Sequence, residues 1–132
     1  MRTQLEKEGA GRGLTAAALG LALALTGCGG GAGGGEVVAN AVEQGHELYI
    51  RTCSMCHGIN GEGVQRLGKS LRDSSFARGQ SDEELVRFLI EGRGPEHPDN
   101  TQGIAMPPRG GNPGLSDEDL GLIVAYVRSI SE

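Results

Sequence analysis

The stretch Cys53-Ser54-Met55-Cys56-His57-Gly58 decides how the rest of the chain is read. Two cysteines three positions apart, with a histidine directly after the second, fit three chemistries: a redox dithiol, half of a zinc site, or the attachment point of a haem. On a turn of helix, positions i, i+3 and i+4 share a face, so both thiols and the imidazole point the same way. That arrangement lets two thiols add across the two vinyl groups of one haem while the histidine reaches its iron. A structural zinc site needs four ligands, and the other candidates, His46 and His97, stand in no second half-motif. A thioredoxin-like dithiol requires strands alternating with helices, and none are readable around the motif. The spacing therefore predicts covalent haem c on Cys53 and Cys56, with His57 as an iron ligand.

The beginning of the chain places that chemistry outside the cytoplasm. Arg2, Lys7 and Arg12 precede an apolar run of 13 residues from Leu14 to Thr26, too short to cross a bilayer as a helix and of the right length for an export signal. Leu25-Thr26-Gly27-Cys28 resembles a bacterial lipobox, so residues 1–27 are expected to be removed and Cys28 to carry the lipid; an ordinary secretory signal with a small-residue cleavage site and an incidental cysteine is the alternative. This also accounts for a third cysteine standing apart from the other two, which in an oxidising compartment would otherwise be an exposed thiol. Residues 28–39 read as a lipidated cysteine and a glycine-rich flexible linker. Its 11 residues from Gly29 to Ala39 predict a root-mean-square reach of about 18 Å. The folded domain is then expected over residues 40–132.

At 132 residues the chain holds one domain. Its net charge is −5, and the leader carries a net positive charge, so the remainder is more acidic still. Nucleic acid is excluded as a partner on that ground. Tyr49, Phe76, Phe88 and Tyr126 are the whole aromatic complement, with no tryptophan. A small domain so poor in large side chains gains from an apolar group supplied from outside the sequence.

Helical periodicity appears three times. The first helix is predicted from about Asn40, as N-cap, to Thr52, with Val42, Gly45, Tyr49 and Thr52 on one face. Ser81-Asp82-Glu83-Glu84 is a capping box ahead of Leu85, Val86, Phe88, Leu89 and Ile90, and Gly92 ends that helix. Ser116-Asp117-Glu118-Asp119 opens the last, whose apolar stripe is Leu120, Ile123, Val124, Val127 and Ile130. A short fourth helix is expected around Val64 to Leu71. No segment alternates as a strand does, so the fold is predicted to be all-α.

From Arg93 to Leu115 run 23 residues without periodicity, ten of them glycine or proline. A loop of that length within a small domain points to function. It contains Met106, 49 residues after His57, followed by Pro107 and Pro108. The prolines disfavour helix at Met106 and stiffen the backbone, so the loop can hold a thioether in place as the second axial ligand. Met106 as a core filler and His97 as the ligand are the alternatives. Met55, between the cysteines, is pinned away from the far face of the ring.

Together these features resemble a class I monohaem cytochrome c: a first helix with Gly45 and Tyr49, then CSMCH, a capped middle helix ending Glu91-Gly92-Arg93, a loop with AMPP, and a last helix with Tyr126. The resemblance covers about Asn40 to Ser131. It implies three to four helices around a covalently bound haem, with the first and last crossing at Gly45, opposite Ile123 and Tyr126 and beside Tyr49. A mid-helix glycine costs about 1 kcal/mol relative to alanine unless a close backbone approach offsets it. In familiar members a proline carbonyl about a dozen residues after the histidine accepts its imidazole N–H. Val64-Gln65-Arg66-Leu67-Gly68 has no proline, so another backbone carbonyl is expected in that role. Arg93 and Arg109 are candidates to neutralise the haem propionates.

The function so implied is electron transfer and not catalysis. A lipid-anchored carrier on the outer, periplasmic side of a bacterial membrane would exchange single electrons with redox partner proteins of the electron-transport chain, or serve as the electron-accepting subunit of an oxidoreductase complex. Electrons would pass at a haem edge near Cys53, Met55 and Ile104. A haem enzyme or gas sensor with a labile sixth ligand is the alternative.

Overall fold

Two serine-led capping boxes set the frame of the molecule. The computed structural model describes residues 33–131, among which helices are joined by turns and two isolated backbone bridges, with no strand. Ser81 Oγ accepts the Glu84 N–H at 3.2 Å while Glu84 Oε2 accepts the Ser81 N–H at 2.7 Å. Ser116 and Asp119 repeat the exchange at 3.1 and 2.8 Å. Each pair satisfies donors that a helix start leaves orphaned. The elements are α1 (Gly33–Thr52), α2 (Ser54–His57), α3 (Ser75–Gly79), α4 (Asp82–Glu91) and α5 (Asp117–Ile130), with a 3-10 turn over Pro108–Gly111 before α5.

Two expectations need correction. Helix α1 spans Gly33–Thr52, so residues 33–39 are helical where a flexible conformation was expected, and Asn40 lies inside the helix and does not cap it. Glu36-Val37-Val38-Ala39 contains no breaker, and Glu36 favours the positive end of a helix. The Asn40 side chain instead accepts from Gln44 one turn on. Residues 64–71 do not form a helix either. The Val64 and Gly68 backbones pair at 3.0 and 3.1 Å around a tight turn in which Arg66 has φ 66°. The leader and Cys28 lie outside the described residues.

The core lies where α5 meets α1 and α4. Tyr49, Leu120, Ile123 and Val124 are at most 2% exposed, each contributing roughly 1.5–3 kcal/mol by leaving water. At the α1–α5 contact, a Cβ on Gly45 would stand 2.6 Å from the carbonyl carbon of Leu122 and 3.2 Å from Tyr126 Cβ. The residue facing Gly45 beside Tyr126 is thus Leu122. Ile123 is buried in the neighbouring cluster with Leu115 and Leu120, against Leu48, Cys53 and Leu89. The Tyr126 ring packs on both His46 and Tyr49, centroids 4.7 and 4.9 Å apart.

Polar contacts anchor the far end of α5. Arg128 binds the Ala77 carbonyl and Asp82, the latter at 2.9 Å. Arg78 donates to the Ser131 carbonyl at 2.6 Å, and the buried Ser131 hydroxyl donates to the Leu71 carbonyl at 2.8 Å. These bonds fasten the segment after the cysteine motif to the last helix. Among the described residues no helix is long and apolar enough to cross a membrane.

Candidate functional site

The motif emerges from the end of α1 as a separate turn of helix. The Cys53 N–H reaches the Tyr49 carbonyl at 2.7 Å, and the Cys53 carbonyl then accepts from Cys56 at 3.1 Å and His57 at 3.0 Å. Cys53, Cys56 and His57 therefore sit one turn apart on a common face. Gly58, with φ 81°, reverses the chain. Its carbonyl accepts the buried Tyr49 hydroxyl at 2.6 Å, which ties the reversal to α1.

The imidazole is held from behind. His57 Nδ1 stands 2.8 Å from the Lys69 carbonyl oxygen. A carbonyl can only accept, so Nδ1 carries the proton and Nε2 offers the lone pair. The turn that brings Lys69 there depends on Gly68: a Cβ at that position would lie 2.5 Å from the Cys56 carbonyl oxygen and 3.1 Å from His57 Nδ1. The carbonyl expected without a proline is this one. Its signal in the sequence was the glycine before it.

The thiols are half-buried and not disulfide-linked. Burial, and then the nearby Cys56, pushes the Cys53 thiol up to about 11. A redox dithiol uses a thiol lowered toward neutrality, so the shift runs against that chemistry. Among the described residues no group of three or more His, Cys, Asp or Glu side chains gathers as a metal centre needs, which leaves the zinc alternative without its remaining ligands.

Met106 is fixed through its backbone. Its N–H donates to the Arg93 carbonyl at 2.8 Å, and its carbonyl accepts from the Arg93 N–H at 2.7 Å. Gly92, at φ 69°, runs so close that a Cβ there would lie 2.7 Å from Pro108 N. Beyond the prolines, Gly110 packs on the motif: its Cβ would stand 2.8 Å from Thr52 Cγ2 and 4.0 Å from Cys53 Sγ. The fold thus lays the Met106 loop beside the cysteine motif. His97 sits in an exposed turn, its Nδ1 accepting the Asp99 N–H at 3.2 Å.

The two arginines differ from what the sequence suggested. Arg109 is engaged by the Leu115 carbonyl at 2.8 Å and the Asp117 carboxylate at 2.6 Å, which disfavours it as a propionate partner. The Arg93 guanidinium lies over Phe76 and Phe88, 4.9 and 4.7 Å from the ring centroids.

Two unlinked thiols and an oriented imidazole on one face, with a thioether on an adjoining stiff loop, make a donor set that fits a c-type haem. A family described as cytochrome c oxidase, cbb3-type, subunit III, matches residues 40–127. The cbb3-type cytochrome c oxidase subunit FixP of Azorhizobium caulinodans is 33% identical over 91 residues, 68% of this chain and 27% of that relative. The chain therefore spans about a quarter of the length of the curated relative. No solved structure matches.

Proposed function

The chain belongs to the cytochrome c family described as cytochrome c oxidase, cbb3-type, subunit III, and from that premise we propose a membrane-tethered one-electron carrier that serves an oxidase of this type. Membership makes it an all-α class I cytochrome c with covalently bound haem c and a role in electron transfer. In the proposed site, Cys53 and Cys56 hold the haem and His57 and Met106 ligate its iron. Bound there, the haem supplies a single Fe(III)/Fe(II) couple.

The observation that carries this reading is the held imidazole. A histidine one residue after Cys56, its Nδ1 proton fixed on the Lys69 carbonyl at 2.8 Å, presents Nε2 in one orientation and with raised basicity. Arg93 pairs with Met106 on both sides of its peptide, so the thioether swings from a braced backbone. The buried Tyr49 hydroxyl on Gly58 keeps the motif registered on α1. With His57 and Met106 both as ligands to its iron, a bound haem would offer substrate no open position, and the protein would pass electrons without transforming a molecule.

The partner assignment rests on the relative, an oxidase subunit by name. The anchor assignment rests on Cys28, with residues 1–27 as the leader. A lipid on Cys28, five residues before Gly33 in the sequence, would keep the domain beside the bilayer. That favours repeated encounter with one membrane complex.

Pyridine haemochrome analysis of the exported protein should show one covalent haem, and Met106→Ala should abolish the sulfur-to-iron charge-transfer band and lower the potential. Absence of that band from the wild type, with a potential that Met106→Ala leaves unchanged, would transfer the ligand role to His97. Rapid cyanide uptake by the resting wild-type ferric protein would instead favour a haem enzyme or gas sensor. Cys28→Ser should release the protein from the membrane fraction; continued association would mean a different anchor.

A further inference from the structure

We propose that Asn100 is the positioning residue of the Met106 loop, a clasp that holds the thioether on the iron; this rests on the reading of Met106 as a ligand. Its side chain uses every hydrogen-bonding position it has. The Nδ2 group donates to the Gly94 carbonyl at 2.9 Å and to the Ile104 carbonyl at 2.8 Å. Oδ1 accepts the N–H groups of Gln102 at 3.1 Å and Gly103 at 3.0 Å. Two donors and two acceptor lone pairs are the full capacity of an asparagine amide, and the four partners fix which way it faces.

The four bonds join what the chain would otherwise leave open. Gly94 and Ile104 are the two ends of an excursion that starts just after Arg93 and returns just before Met106. The Arg93–Met106 backbone pair closes the base of the excursion, and Asn100 closes its interior one step further in. The Asn100 N–H also donates to the His97 carbonyl at 2.8 Å, so the residue is itself braced from the other side. A loop containing Gly94, Pro95, Pro98 and Gly103 has few side chains able to do this. Aspartate would keep the two acceptor bonds and lose both donor bonds, facing carboxylate oxygen toward two carbonyls. Alanine would lose all four.

Loss of the clasp frees Ile104 and, two residues on, Met106, so the thioether should leave the iron more often. In the ferric holoprotein that opening limits entry of an outside ligand, and cyanide reports it. Asn100→Ala should bind cyanide at least about tenfold faster than wild type, since all four side-chain hydrogen bonds that close the loop are removed. The Gln102 and Gly103 amides should lose protection from hydrogen exchange in the same variant. Asn100→Asp should keep those two amides protected and still bind cyanide faster, because the donor bonds to Gly94 and Ile104 are gone. That variant also serves should the alanine form fail to assemble.

Met106→Ala separates this proposal from the ligand reading beneath it. If Met106→Ala binds cyanide rapidly while both Asn100 variants stay at the wild-type rate, the clasp is overturned and the ligand stands. If Met106→Ala binds no faster than wild type, the ligand assignment falls and takes the clasp with it. Lost amide protection in Asn100→Ala with an unchanged cyanide rate would make Asn100 a loop-ordering residue alone and would also overturn the proposal.

Discussion

His57 and Lys69 meet across 2.8 Å, imidazole Nδ1 against a main-chain carbonyl twelve residues further along. The contact is a backbone solution to a problem the side-chain pattern leaves open, because a carbonyl is present at every position and marks none. What selects this one is the turn between Val64 and Gly68, folded back on the motif so that only a glycine fits beside the Cys56 carbonyl.

Gly68→Ala tests that link. The added methyl would meet the Cys56 carbonyl oxygen at 2.5 Å, so the turn must retreat and draw Lys69 away from the ring. Overpacking of this kind costs about 1–3 kcal/mol, measurable by denaturant unfolding. A weaker Nδ1 hydrogen bond also lowers imidazole basicity, which stabilises Fe(III) less. The reduction potential should therefore rise; a stability loss with no change in potential would mean that the carbonyl orients His57 without tuning it.

The helix contact supplies a matched pair. Gly45→Ala drives a methyl into the Leu122 carbonyl, and separating α1 from α5 should cost about 1–3 kcal/mol. Gly121, in the same α5, has nothing within 4 Å of its added Cβ. Gly121→Ala should be neutral or stabilise by up to about 1 kcal/mol through helix propensity. Urea unfolding of the two variants decides the matter, and equal effects would remove Gly45 from its role at the crossing.

Gly92 and Gly94 form a second pair, on the Met106 side. Gly92 combines φ 69° with backbone of Pro107 and Pro108 within 2.8 Å of its missing Cβ, while Gly94 has open space. Gly92→Ala should therefore disturb the Arg93–Met106 pairing, speeding cyanide entry and lowering the unfolding midpoint. Gly94→Ala should leave both near wild type. If Gly92→Ala keeps the wild-type cyanide rate, the bridge does not brace the thioether.

What was legible in the sequence divides by kind of signal. Ser81 with Glu84 and Ser116 with Asp119 were readable because capping is local and both partners are side chains at fixed spacing. The segment from Val64 to Leu71 misled because Val64, Leu67 and Leu71 repeat at helical spacing. The glycines at 63 and 68, and the Gly63 N–H bonded to the His57 carbonyl at 2.6 Å, overrode that pattern with a turn. Helix α3, five residues long, is too short for periodicity to register. Asn100 looked like any polar residue in a glycine- and proline-rich loop, since its partners are backbone groups.

Tyr49→Phe closes the argument on the motif's other support. The hydroxyl is buried and donates to Gly58 at 2.6 Å; without it the Gly58 carbonyl keeps only the Gly61 N–H at 3.2 Å, and the loss should cost about 1 kcal/mol at neutral pH. Burial raises the pKa of Tyr49 above its ordinary value of 10.0. The sign follows from proton binding: above pH 10 the unfolded chain gives up this proton while the folded chain retains it. Stability is then fully present below pH 10 and falls as pH rises beyond it. Phenylalanine has no proton to lose, so the variant should begin less stable and show a shallower alkaline decline. Parallel slopes for the two proteins between pH 9 and 11 would mean that other groups, Tyr126 first among them, govern the alkaline limb.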